Sequence, residues 1–188
     1  MFKILSKIVN GTKGAISSSL SGASDVASTI VKVVKKITIN TMRETGDFLV
    51  EGIQVPAAIV KGSLQGISEI GVSVIKAVKG VITGTIAGAM ESGGNQKTVV
   101  KGAVAEALYS AKELGLDIAD TAVEAVIGAV DGVKQVGGDT VSASVTAIKT
   151  ALTVSKEFGD ETLDQVKQSI GISVKGAKDI INQIDLKK

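Results

Sequence analysis

The amino-acid sequence predicts an all-α protein. We expect about eight antiparallel amphipathic helices of roughly 20 residues, joined by short glycine turns into a helical hairpin array or solenoid-like stack. Two observations in the 188-residue chain support this: apolar residues recur every 11 positions and a glycine recurs every 22. Because 11 residues make about three helical turns, such a period keeps an apolar stripe on one side of a helix.

The eleven-residue period starts at Val9 and ends at Val174. Of its 16 positions, only Lys97 and Ala119 lack a large aliphatic residue, whereas chance would fill about five. Aliphatic residues at neighbouring positions of the same helical wheel, such as Ile82 and Val104, widen the stripe. The result is an apolar arc of well over ~100°, typical of a helix that buries one side.

Each glycine of the 22-residue period is followed two residues later by Ser, Asn, Asp or Glu. Glycine closes a helix because it adopts the left-handed conformation, and Ser, Asn and Asp accept hydrogen bonds from the first N–H groups of the next helix. We therefore predict helix joints at Gly71, Gly93, Gly115, Gly137 and Gly159. At the last joint Glu161 is a poor cap, and Asp160 is the alternative.

These joints divide a single repeat domain, 1–188, into a less regular part, 1–70, and regular repeats, 71–184. Looser joints are expected at Gly22-Ala23-Ser24 and Thr45-Gly46-Asp47, and Pro56 is expected to kink or split the third helix because proline lacks an N–H group. The predicted helices span 2–21, 24–45, 47–70, 73–92, 95–114, 117–136, 139–158 and 161–184.

Two alternatives remain open at this point. The helices could run straight through the joint glycines at a cost of about 1 kcal/mol each, which would give long rods. Residues 141–147 alternate between apolar and hydroxyl or small side chains, a pattern that also suits a β-strand.

The composition argues against an enzyme. The chain has 22 Gly, one Pro, one Tyr and three Phe, and it lacks Cys, His and Trp. Thiolate and imidazole metal sites, disulfides and Ser-His or Cys-His catalysis are therefore excluded. We expect no catalytic residues, no metal and no cofactor. A net charge of +2 and so few aromatic residues also disfavour binding to nucleic acid.

Membrane crossing is not expected either, although the mean hydropathy of +0.35 is high. No stretch without a charge exceeds 11 residues, the length of Gly80–Met90, whereas a spanning helix needs about 20. The amino end, MFKILSKIVNG, has the pattern of an amphipathic helix rather than that of a secretory signal. We expect a cytoplasmic protein that is peripheral to a membrane or an inclusion.

Lysines line one edge of the apolar arc, where their methylenes can lie on an apolar surface while the ammonium groups reach water or lipid phosphate. This candidate surface edge, the lysine lane, consists of Lys79, Lys101, Lys112, Lys134, Lys156, Lys167 and Lys178. The arrangement resembles the exchangeable apolipoproteins, is similar to the eleven-residue repeats of perilipins and synucleins, and is more distantly similar to phasins. The resemblance implies helices that bind lipid.

Small residues recur at four-residue spacing, which lets helix backbones approach closely. The candidates for close helix packing are Gly62, Gly66, Gly80, Gly84 and Gly88. The segment from Gly80 to Met90 is also the best candidate for membrane insertion.

Three functions follow from these patterns. The first is a non-enzymatic coat on a membrane, lipid droplet or hydrophobic inclusion. The second is a structural protein whose hairpins stack into a filament, sheet or shell. The third is insertion into a membrane through the Gly80-Gly84-Gly88 segment. The expected partners are a lipid or inclusion surface, copies of the same chain in a homo-oligomer, or both.

Overall fold

The computed structural model describes residues 3–46, 49–50 and 53–185. The fold is all-α, as predicted. Two short strands, β1 (Leu49–Val50) and β2 (Ile53–Gln54), pair antiparallel. The helices of the described ranges are α1 (Lys3–Leu20), α2 (Val26–Thr45), α3 (Val55–Glu69), α4 (Val74–Glu91), α5 (Gln96–Glu113), α6 (Ile118–Gln135), α7 (Thr140–Phe158), α8 (Asp160–Ser173) and α9 (Ala177–Asp185).

The helices form two layers. In the odd layer α1, α3, α5 and α7 lie side by side, and in the even layer α2, α4, α6 and α8 do the same, while α9 packs on α7 and α8. Gly62 of α3 contacts Val9 of α1, and Gly66 contacts Lys13, so helices of one layer run parallel. Consecutive helices lie in opposite layers. Because short turns join them and reverse the chain, they run antiparallel. The predicted solenoid-like stack is confirmed.

The joint glycines lie between helices with positive φ. The values are +74° at Gly71, +92° at Gly93, +68° at Gly115, +69° at Gly137 and +131° at Gly159. At three of these joints the N–H of the third residue beyond the helix closes the last turn: Gly94 donates to Ala89 O at 2.8 Å, Leu116 to Ala111 O at 2.9 Å and Gly138 to Val133 O at 3.0 Å. This bonding satisfies terminal carbonyls and turns the chain, which excludes straight rods.

Side-chain caps start three of the following helices. Asn95 accepts from the N–H of Thr98, Asp117 from that of Asp120, and Asp139 from those of Val141 and Ser142. Ser73 makes no such bond. At the last joint Asp160 is already the first residue of α8, so neither Asp160 nor Glu161 is the cap.

The predicted third helix, 47–70, is wrong at its start. Asp47 lies outside the described residues, and the helix begins at Val55 after the short β-hairpin. The expected kink at Pro56 is also wrong. Pro56 lies in the first turn of α3, where the N–H that it lacks has no partner within the helix.

Near the carboxyl end one further expectation fails and one open alternative is excluded. The predicted helix 161–184 is divided into α8 and α9 around Gly176, which has φ +79°. Residues 141–147 belong to α7, so the β alternative is wrong there. This segment is helical because its apolar side packs against α5 and α6. The packing outweighs the preference of valine and threonine for β-strands.

The glycines chosen for close packing lie against the preceding helix of the same layer. A Cβ atom on Gly62 would lie 2.5 Å from Val9 O of α1, and one on Gly84 would lie 2.6 Å from Val31 O of α2. Gly66, Gly80 and Gly88 also face those helices. The same contact recurs on α6, where Gly128 and Gly132 face α4. The sequence analysis did not single out that pair.

The helices cover one another's apolar arcs. Ile16, Ile59, Ile82, Leu108 and Ile148 are fully buried, so one apolar core runs between the layers from α1 to α7. The segment Gly80–Met90 lies inside this stack against α2. No helix in the described part of the chain has the length and apolar character needed to cross a membrane.

Substitution of Gly84 by alanine is predicted to destabilise the stack by about 1–3 kcal/mol, because the new methyl group would overlap Val31 O. The matched control is Gly14→Ala on α1, where a Cβ atom meets nothing within 4 Å. There we expect a gain of up to about 1 kcal/mol from helix propensity. Urea unfolding followed by circular dichroism measures both. Equal effects of the two substitutions would contradict the close packing.

Candidate functional site

Ion pairs join neighbouring helices within each layer. Lys35 of α2 lies 2.5 Å from Glu91 of α4, Lys61 of α3 lies 2.9 Å from Glu113 of α5, and Lys79 of α4 lies 2.8 Å from Asp131 of α6. Lys13 of α1 pairs in the same way with Glu69 of α3. Their side chains are 30–54% exposed, so each pair contributes at most about 1 kcal/mol. These lysines link neighbouring helices of the stack.

The lysine lane does not form one edge in the folded chain. Lys79, Lys134 and Lys167 lie in the even layer, Lys101, Lys112 and Lys156 lie in the odd layer, and Lys178 lies on α9. The reason is geometric, since consecutive helices alternate between layers and reverse direction. A lane that is continuous on a helical wheel is thereby divided between two faces.

The first helix of each layer has one side without a neighbour. On α1, Val9, Thr12, Lys13 and Ile16 contact α3. The opposite side carries Ile4, Lys7, Gly11, Gly14 and Ser18, all exposed, and a Cβ atom on Gly11 or Gly14 would meet nothing within 4 Å.

On α2 the free side is basic. Ile30, Val31, Val34, Lys35 and Thr38 contact the glycines of α4. The other side of α2, a quarter to half a turn around the helix axis from these contact residues, carries Lys32, Lys36, Asn40 and Arg43, all exposed. We call Lys7, Lys32, Lys36 and Arg43 the basic end face. It closes the amino-terminal end of the stack.

The charge of the whole chain is polarised toward this end. Residues 3–46 contain seven basic and two acidic residues, a net charge of +5, whereas residues 47–188 carry −3. One of the two acids, Asp25, caps α2 by accepting from the N–H of Ser28 at 3.1 Å. The total net charge of +2 does not reveal this face. The spacing of Lys32, Lys36 and Arg43 by four and seven residues was the available signal.

A second feature lies on the outer side of the odd layer, where α3, α5 and α7 meet. Three carboxylates, two lysines and two aromatic rings surround a groove of about 590 Å³. We call it the carboxylate groove. Its lining residues are Lys61, Glu106, Tyr109, Lys112, Glu113, Glu157 and Phe158.

The aromatic rings of this groove form one cluster with their charged neighbours. The Tyr109 and Phe158 rings pack edge to face with centroids 5.7 Å apart. Lys112 Nζ lies 4.3 Å from the centroid of Phe158, and the Tyr109 hydroxyl donates to Glu157 Oε2 at 2.7 Å. This hydrogen bond raises the pKa of Tyr109, since it stabilises the protonated phenol.

Glu106 is the most buried carboxylate of the groove. Desolvation by burial raises its pKa above the ordinary value of 4.5, against a smaller lowering by the Ser110 hydroxyl, which donates to Oε1 at 3.1 Å, and by the charge of Lys61. None of the ion pairs in the described part of the chain includes Glu106. The carboxylate is therefore partly desolvated without a directly bound cation.

Neither surface has the composition of a metal centre. Within residues 3–46, 49–50 and 53–185, no three His, Cys, Asp or Glu side chains come together in a way that could hold a metal ion. No protein-family model matches the chain, and no curated protein matches it.

Substitution of Glu106 by glutamine is predicted to stabilise the protein at pH 7. The pKa of Glu106 is raised on folding, so its ionised form opposes folding. This cost is absent below pH 4.5, grows as the pH rises from 4.5 through the raised pKa, and is complete above it.

Urea unfolding of the wild type and of Glu106→Gln at pH 7 and near pH 4 measures the effect. We expect the variant to be more stable at pH 7 and equal at the lower pH. Glu124→Gln on α6 is the control and is expected to change little. A wild type that is as stable as Glu106→Gln at pH 7 would show that the carboxylate is already compensated.

Proposed function

We propose that this protein is a non-enzymatic, peripheral membrane-binding protein of the cytoplasm whose basic end face docks on an anionic lipid surface. The observation that carries the proposal is the free side of α2, where Lys32, Lys36 and Arg43 are exposed in one stripe. Lys7 and the 48% exposed Ile4 of α1 extend this face. Anionic membranes attract such clusters with about 1 kcal/mol per basic residue near the surface.

This mode of docking differs from helices that lie flat on lipid. A flat coat needs free apolar arcs, and in the folded chain those arcs are covered by other helices. The end face needs no opening of the stack, because its side chains already have no neighbouring helix. Ile4 adds an apolar side chain that can enter the headgroup region beside the lysines.

Removal of the three bases of α2 is predicted to weaken vesicle binding on the order of 100-fold, at about 1 kcal/mol per charge. The variant is Lys32→Gln/Lys36→Gln/Arg43→Gln. Its matched control is Lys76→Gln/Lys97→Gln/Lys149→Gln, which removes the same charge from exposed positions on α4, α5 and α7, outside both the basic end face and the lysine lane. Co-sedimentation uses phosphatidylcholine vesicles with about one quarter phosphatidylserine.

The wild type is expected to bind these vesicles, to release them at high salt and to ignore pure phosphatidylcholine. Its helix content should stay constant on binding because the stack remains closed. Equal losses of vesicle binding in both triple variants would show that binding depends on net charge alone and not on the basic end face. Tighter binding to duplex DNA than to vesicles would instead make the end face a nucleic-acid site and overturn the proposal.

A second candidate is self-association through the opposite end of the stack. Val141 on α7 is 73% exposed and Ile172 on α8 is 72% exposed, the highest exposed fractions among the large apolar side chains of the described residues. Exposed apolar side chains of this kind favour contact with a second copy.

Replacement of both residues by asparagine, Val141→Asn/Ile172→Asn, is predicted to shift an oligomer toward the monomer in sedimentation velocity. Each exchange removes apolar surface that only association can bury, which we estimate at about 1–2 kcal/mol per side chain. The vesicle-binding triple variant serves as the control and should associate like the wild type. A wild-type protein that stays monomeric at every concentration would remove this candidate.

A further inference from the structure

The carboxylate groove lies where the repeat is interrupted. A second series of positions, inside the helices, has the same 22-residue spacing as the joints. Glycine occupies 62, 84 and 128 of this series, but the position between 84 and 128 is Glu106. Four residues later, glycine stands at 66, 88 and 132, and the intervening position is Ser110. α3, α4 and α6 use these positions for close helix packing, whereas α5 places a carboxylate and a hydroxyl there.

The charges of the groove are unequally paired. Glu113 is held by Lys61 at 2.9 Å, and Glu157 accepts from the Tyr109 hydroxyl at 2.7 Å. Glu106 accepts only from Ser110 at 3.1 Å. Three carboxylates face two ammonium groups in the lining, so the fully ionised groove has a charge of −1, and its most buried anion is Glu106. Burial raises the pKa of Glu106, in agreement with the missing cation.

The aromatic rings make the groove suitable for an organic cation. Lys112 Nζ already rests 4.3 Å from the Phe158 centroid, which is the geometry of a cation–π contact. The Tyr109 ring lines the same groove, and its hydroxyl donates to Glu157. A ligand ammonium at Glu106 would therefore meet a carboxylate in a groove that already holds one ammonium group against an aromatic ring.

An apolar cavity adjoins the groove. It has a volume of about 310 Å³ and shares Lys61 and Glu106 with the groove, and it continues to α1 along Leu5, Val9 and Ala58. A ligand that places a cation at Glu106 therefore has room for an apolar group a short distance away. An extended polypeptide with a basic residue beside an apolar residue has this pairing, and a simple amine lacks it.

We propose that the carboxylate groove binds the ammonium or guanidinium group of a lysine or arginine side chain on a partner polypeptide, with a neighbouring apolar side chain in the adjoining cavity. Glu106 binds the cation, and the Tyr109 ring lies in the same lining, while Lys112 stays on the Phe158 ring. This inference is independent of the basic end face, which lies on the free sides of α1 and α2.

The protein contains its own reporter for this site. Tyr109 is the only tyrosine, and the chain has no tryptophan, so the intrinsic tyrosine fluorescence comes from the groove. The titrant is an acetylated and amidated peptide without aromatic residues that contains a Leu-Lys pair. The comparison titrants are the same peptide with Gln in place of Lys, and n-butylamine. Isothermal calorimetry supplies the affinities.

We expect the lysine peptide to change the Tyr109 emission and to bind more tightly than either comparison titrant. Glu106→Gln should weaken this binding about tenfold or more through loss of the charge-assisted contact, while Glu124→Gln binds like the wild type. Vesicle binding should be the same in both variants, which separates this test from that of the proposed function. Equal affinity for the Lys and Gln peptides, or an unchanged affinity of Glu106→Gln, overturns the proposal. Equal affinity for n-butylamine overturns its polypeptide part.

Discussion

The rest of the structure depends on the close approach of parallel helix backbones within each layer. At Gly62, Gly84 and Gly128 the absence of a side chain lets a carbonyl oxygen of the preceding helix come within 2.5–2.6 Å of the position that a Cβ atom would occupy. The two layers then enclose a dry core of mostly aliphatic side chains. Valine, threonine and glycine are mediocre helix formers, so these helices depend on each other's surface rather than on intrinsic propensity.

Much of this fold could be predicted from the sequence because its signals are local. The joint at Gly115 needs only a residue that tolerates positive φ, followed by Asp117 as a cap, and both requirements are visible in the residue types. The start of α3 was not visible, since Pro56 suits the first turn of a helix as well as it breaks the interior of one. The period of 22 also cannot show that consecutive helices separate into two layers.

The candidate sites were less predictable because they depend on which helices become neighbours in the folded chain. A helical wheel places Lys79 and Lys101 on one line, but folding puts them in opposite layers. Within the described residues, no further helix packs on one side of α1 and of α2, which leaves Lys32 and Lys36 of the basic end face without a neighbouring helix. The carboxylate groove was detectable in principle, because Glu106 departs from the glycine that the period calls for. Its partners from α3 and α7 required the tertiary structure.

The order of contacts in this stack has a consequence for how such a chain can change in length. Each helix packs mainly on its sequence neighbours and on the helix two positions away, so an additional hairpin between α2 and α3 would find neighbours of the same kind on both sides. It would lengthen the stack by about 8–10 Å, one interaxial spacing, and would leave the basic end face and the lining of the carboxylate groove, which comes from α3, α5 and α7, unchanged. The distance between the carboxylate groove and the surface that the basic end face contacts is then set by the number of repeats. Duplication or deletion of a single hairpin would change this distance.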